Sequence, residues 1–297
     1  MSPLLTLLSF ALRVSFGLAV AMAVTPPRWV GSGFYRIHLW VLLGVFTLAA
    51  LVVLSLGGAI DTGGGSASAA NGDSAVAESS ASAAPVRDSE LSESGDAPLV
   101  RRSTVLLSLA IVGAVMSYVG SVVWLYEKAA IGRASIVVVA AIALAAALLL
   151  PDASGRAAAF ALLPVLDVVS SGLLAGVVLA AMLLGHWYLN APNMQLAPLK
   201  RLIALAIALV LVRGAVSGTD LAVDLASAAT PIAQLGLTWW LLVALRWIAG
   251  IALTLVLAVL AWQTLKIPNT QSATGILYAA VATCFLGELT AMLLAAR

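Results

Sequence analysis

Apolar residues in this chain come in long runs rather than alternations, and the runs set its architecture. Eight of them are long enough to cross a hydrocarbon core, at 4–24, 36–57, 104–126, 134–150, 165–189, 199–217, 236–265 and 274–296. A spanning helix needs about 20 apolar residues, whereas a barrel strand is about 9–11 residues of alternating polarity. The pattern therefore predicts an all-α integral membrane protein of about eight transmembrane helices, arranged as helical hairpins. One stretch breaks it. Residues 58–103 hold Gly63-Gly64-Gly65, many Ser and Ala, and the acids Asp61, Asp73, Glu78, Asp88, Glu90, Glu93 and Asp96. Such a composition cannot bury a core, so we expect a disordered acidic loop there. The chain then divides into helices 1–2 (1–57), the loop (58–103) and helices 3–8 (104–297).

Polar punctuation between the runs carries a repeat. The segment 185–201, GHWYLNAPNMQLAPLKR, closes one run with His186, Trp187 and Tyr188 and opens the next with Lys200 and Arg201. Aromatic clusters followed by basic residues are selected at membrane–water boundaries. Within it, Pro192, Asn193, Gln195 and Ala197 match Pro268, Asn269, Gln271 and Ala273 in register, four positions of six. Further matches align Ala11-Leu12-Arg13 and Gly17 with Ala244-Leu245-Arg246 and Gly250, and Leu43-Gly44 with Leu286-Gly287. These matches predict a parallel internal repeat of the hairpins 1–2, 5–6 and 7–8. Small residues at near-helical spacing, Gly113, Ser117, Gly120 and Ser121, and the GxxxG of Gly172 and Gly176 read as sites of close helix packing.

Composition narrows the class further. Of 297 residues, 62% are hydrophobic and only 9% charged, with a mean hydropathy of +1.09. Soluble domains carry about 25% charged residues, so a water-soluble fold is excluded and the lipid bilayer is the first partner. The net charge of +2, without a basic cluster, gives no footprint for nucleic acid. Cys284 is the single cysteine, which rules out an internal disulfide framework. Lys and Arg in short loops favour one face by seven (Arg28, Arg36, Lys128, Arg133, Lys200, Arg201, Lys266) to four or five. By the positive-inside bias we expect a multi-pass protein of a bacterial cytoplasmic membrane, with both termini and loop 58–103 non-cytoplasmic. Arg101 and Arg102 argue the other way.

Candidate chemistry rests on charges inside the runs. Arg13, Asp167, Arg213, Arg246 and Glu288 fall in five different spans, all in the half nearer the expected outer face. Intramembrane charges mark solute paths, proton relays or structural ion pairs. Three arginines and two acids can pair, and an Arg246–Glu288 contact is expected, within reach of Arg13 or Asp167. On the structural reading, Arg213 and Asp167 snorkel partly to the interface. The two histidines, His38 and His186, lie at similar depth, where they could hold a b-type haem or a quinone, or belong to interfacial aromatic belts. Nucleotide-binding, hydrolase and zinc-protease motifs are absent from the sequence. Three readings stay open: translocation of a small ion, proton or anionic solute; a membrane redox subunit; and a non-catalytic anchor or assembly subunit bound to other membrane subunits.

Overall fold

In a computed structural model, residues 3–65, 89–150, 162–190, 195–227, 236–267 and 269–295 are described. They form α1 (Pro3–Val24), α2 (Ser32–Gly65), α3 (Ser89–Leu125), α4 (Ala129–Leu149), α5 (Leu163–Asn190), α6 (Ala197–Ser227), α7 (Leu237–Leu245), a π-helical segment (Arg246–Leu253), α8 (Thr254–Thr264) and α9 (Thr270–Ala295). Leu237–Thr264 is one continuous span, so eight helices among the described residues are long and apolar enough to cross a membrane. Helix is the form in which an apolar run satisfies its own backbone without water. The protein is an all-α, multi-pass membrane protein.

Two boundaries differ from those the hydropathy runs suggest. Helices α2 and α3 reach into 58–103 from both sides, to Gly65 and from Ser89, while residues 66–88 lie outside the described residues. Helix α6 runs on to Ser227, ten residues past the predicted end at 217. The apolar run stops at 217, before Asp220 and Asp224, but the helix continues through both. The extension places Arg213 at mid-helix.

Successive spans alternate in direction, which puts the start of α1 and the end of α9 at one end of the bundle (the terminal end) and the connections 25–31 and 126–128, with the end of α5 and the start of α9, at the other (the turn end). Helix α5 is the most enclosed span and packs on α1, α6 and α9. Helices α2, α3 and α4 pack in sequence and close back on α1, while α8 bridges α6 and α9. The outer surfaces carry Leu48, Leu51, Ile111, Val115, Leu211 and Val212, which cost nothing facing acyl chains.

Glycines fix the two closest crossings. A Cβ on Gly17 would sit 1.8 Å from the Gly172 carbonyl oxygen, and one on Gly176 would sit 2.1 Å from Gly17 C. The GxxxG of α5 thus receives α1, as the packing reading predicts. The second crossing is Gly250 on Gly287, where a Cβ on Gly287 would lie 2.1 Å from Gly250 Cα. Gly44, which the sequence repeat aligns with Gly287, has open space instead. The repeated turns also differ. Gln271 lies inside α9, whose first turn Asn269 caps through Oδ1 accepting from Ser272 N at 3.0 Å. Gln195 precedes α6, and its carbonyl accepts from the Tyr188 hydroxyl. Pro192, Asn193 and Pro268 lie outside the described residues. At these positions the sequence similarity is not matched by similar packing.

Hydroxyls within the spans mostly serve their own helix, as where Ser117 donates to Gly113 O and Thr290 to Leu286 O. At the turn end, Trp29 is flanked by the guanidinium groups of Arg28 at 4.8 Å and Arg201 at 4.4 Å. At the terminal end, Arg102 Nε donates to Leu149 O at 2.5 Å, satisfying a carbonyl in the last turn of α4.

Candidate functional site

The α1–α5 glycine crossing decides where the first charges meet. These helices run parallel, and Arg13 lies one turn before Gly17, level with the first turns of α5. Its Nη1 donates to Asp167 Oδ2 at 2.8 Å and to Ser171 Oγ at 2.9 Å. The other carboxylate oxygen of Asp167 accepts from Arg213 Nη1 at 2.7 Å. Arg213 comes from α6 and is among the largest fully buried side chains. Its remaining donors form a fork on Glu288 of α9, Nε to Oε1 at 2.8 Å and Nη2 to Oε2 at 2.7 Å. Ser170 accepts from Arg213 Nη1 at 3.3 Å. Four helices are thereby tied by one chain of charge, Arg13–Asp167–Arg213–Glu288. Arg213 does not snorkel, because the extended α6 holds it in the interior. Asp167 keeps 25% of its side chain exposed.

The expected Arg246–Glu288 pair does not form, nor does Arg246 make a salt bridge to Asp167, nor Glu288 one to Arg13. The Arg246 guanidinium lies 3.7 Å from Asp220 Oδ2 and donates from Nη2 to Ser217 Oγ at 3.0 Å, both on α6. The glycine crossing explains the difference. With Gly250 against Gly287 on antiparallel helices, Arg246 lies about one turn toward the terminal end and so level with Ala291. Glu288, a single residue beyond Gly287, is about 4.5 Å deeper at 1.5 Å per residue and turns toward α6. The π segment begins at Arg246, and such wide turns inside helices concentrate at functional positions. Thr254 bonds back to Ala249 O, five residues earlier, at 3.1 Å, and to Thr283 at 3.0 Å.

Arg246 and Arg213 differ sharply in how well they are satisfied. Arg213 makes four hydrogen bonds. Arg246 makes one, its Nε is buried without a partner, and Nη1 stands beyond hydrogen-bonding distance of Asp220. The side chain lines a cleft at the terminal end together with Asp220, Asp224, Trp239, Trp247 and Ala291. Ser217, which accepts from Arg246, lies one turn after Arg213 on α6, so the charge chain and the cleft adjoin. Ser217, Asp220 and Asp224 escaped the sequence reading. Their signal was the spacing 213, 217, 220, 224, which places all four on one face of a helix.

The two histidines have separate partners. His38 is buried, with Nδ1 2.5 Å from Phe34 O on its own helix and its ring 4.1 Å from that of Phe34. His186 is exposed on the α9 side of α5, 3.2 Å from the Tyr278 hydroxyl. Among the described residues the two imidazoles share no hydrogen-bond partner or ring contact. No group of three or more His, Cys, Asp or Glu among them is placed to hold a metal ion. Comparison with known proteins finds no family model, no curated protein and no solved structure that matches the chain.

Proposed function

We propose that this protein translocates a small charged solute, with the chain Arg13–Asp167–Arg213–Glu288 holding the bundle and Arg246 receiving the solute. The observation that carries the reading is the under-used guanidinium of Arg246 at the wall of a cleft. A cation inside a span costs roughly 2.5–3.5 kcal/mol by insertion scales. An arginine serving only to fix packing should recover that cost with a full set of bonds, as Arg213 does. Arg246 instead keeps donors in reserve where a solute can approach from the terminal end.

The closed fork of Arg213 on Glu288 favours a second role for the rest of the cluster, that of a rigid interhelical tie. The two roles are compatible, since a translocating site needs a fixed scaffold around it.

Osmotic re-swelling of proteoliposomes tests the proposal. Vesicles shrunk with a panel of small solutes, including potassium salts of organic anions with valinomycin and small zwitterions, should re-swell faster than protein-free vesicles for at least one solute. Arg246→Gln, reconstituted to the same density, should remove the difference. Rates equal to those of empty vesicles across the panel would overturn the transport reading.

A further inference from the structure

We infer that the cleft at Arg246 binds a compact zwitterion, an ammonium and a carboxylate on one small carbon frame, as in the smallest α-amino acids. For the purpose of binding, the inference rests on the transport reading; for the binding itself, it rests on the cleft.

Charge selects the class. The cleft wall carries one guanidinium, Arg246, and two carboxylates, Asp220 and Asp224. An anion alone would find the guanidinium but face both carboxylates. A cation alone would find the carboxylates but face the guanidinium. A zwitterion meets each with its opposite. Its carboxylate fits Nη1 of Arg246, which stands 3.7 Å from Asp220 and makes no hydrogen bond there. Its ammonium fits the acidic side of the cleft. Asp220 and Asp224 have other interactions, but a carboxylate offers about four acceptor positions and can take a further donor. Trp239 and Trp247 line the same space, and an ammonium is drawn to a Trp face within about 6 Å.

Size selects within the class. The cavity volume is about 50 Å³, and one water needs roughly 10–15 Å³ of such space. The cleft therefore takes a few waters or a solute of about five heavy atoms, the size of glycine. Longer side chains would have to project toward the terminal end. The remaining wall, Val243, Ala291 and Leu294, offers no further polar partner for one.

Because Trp239 and Trp247 report on the cleft, purified protein in detergent can be titrated with glycine, acetate and methylammonium while tryptophan emission is followed. Glycine should produce a saturable change, with the two half-molecules binding at least tenfold more weakly. Arg246→Gln should weaken glycine at least tenfold. Asp224→Asn, at an exposed position of α6, provides a variant that keeps the buried network intact. It should weaken glycine and at the same time strengthen acetate, since one repelling carboxylate is removed. No saturable response to glycine, equal binding of acetate, or an Asp224→Asn protein with unchanged preference would each overturn the inference. Glycine binding without re-swelling in vesicles would defeat transport and leave the site standing. Re-swelling with an anion but no glycine binding would do the reverse.

Discussion

Arg213 is the residue on which the buried cluster turns, because it alone touches both Asp167 and Glu288. Replacing it with Met leaves Glu288 buried and without its fork, whereas Asp167 still has Arg13. Removing one partner of a buried pair typically costs about 3–5 kcal/mol, while removing both for apolar groups of similar volume is often close to neutral. Arg213→Met should therefore lower stability by about that amount, and Arg213→Met with Glu288→Leu should recover most of it. Cys284 is buried, so its labelling by a fluorogenic maleimide on heating gives the unfolding midpoint directly. A double variant as unstable as the single one would remove Glu288 from the role given it here. Four of the charges inside apolar runs, Arg13, Arg213, Arg246 and Glu288, are buried, and Asp167 is partly exposed. Which would pair was not legible in the sequence: Arg246 and Glu288 share a hairpin, yet the depth set by Gly250 and Gly287 sends Glu288 to another helix. Pairing depends on crossings between helices, and one helix's sequence does not contain them.

Elements approach one another here only as closely as their small residues permit, and the glycines are not equivalent. Gly17→Ala drives a methyl into the Gly172 backbone of α5, which cannot give way as a flexible side chain would. A loss of at least about 1–3 kcal/mol is expected from such overpacking, with Arg13 displaced from Asp167 as α1 lifts. Gly44→Ala meets open space on a helix and should stabilise by roughly 0.5–1 kcal/mol through helix propensity. The same maleimide melt distinguishes the two, and a neutral Gly17→Ala would contradict the α1–α5 crossing. The apparent repeat predicts packing unevenly: the aligned Gly17 and Gly250 each meet another backbone. Gly44 and Gly287 occupy matching sequence positions, yet only Gly287 faces another backbone. The eight spans themselves were legible because a run of about 20 apolar residues has few other uses. The end of α6 was not, because its apolar run stops before Asp220, whose partner Arg246 comes from another helix. The π segment carries no composition signal at all in Arg246–Leu253, and its wide turn emerges only in three dimensions.

Across the whole molecule the two ends of the bundle are chemically unlike. The turn end presents basic residues with aromatic support, Trp29 between Arg28 and Arg201 being the clearest case. The terminal end opens onto the cleft and the exposed edge of Asp167. Charge bias alone assigns the turn end to the cytoplasm by a modest margin, and Arg101 and Arg102 weigh against it. Arg102, however, is engaged at the last turn of α4, so part of that opposing charge serves the fold. A solute cleft on the outer side would then be reached without crossing the membrane first. Single cysteines in a Cys284→Ala background test this arrangement at positions the structure leaves exposed: Lys128 and Asn269 at the turn end, Gly236 at the terminal end. In intact cells an impermeant maleimide should label the Gly236→Cys protein and spare Lys128→Cys and Asn269→Cys, all three reacting once the membrane is opened. Labelling of Lys128→Cys and Asn269→Cys but not Gly236→Cys would invert the protein and place the cleft in the cytoplasm. Labelling of only one of the two turn-end positions would break the alternation of spans on which both ends depend, and with it the placing of Arg13, Asp167, Arg213, Arg246 and Glu288 in one half of the bundle.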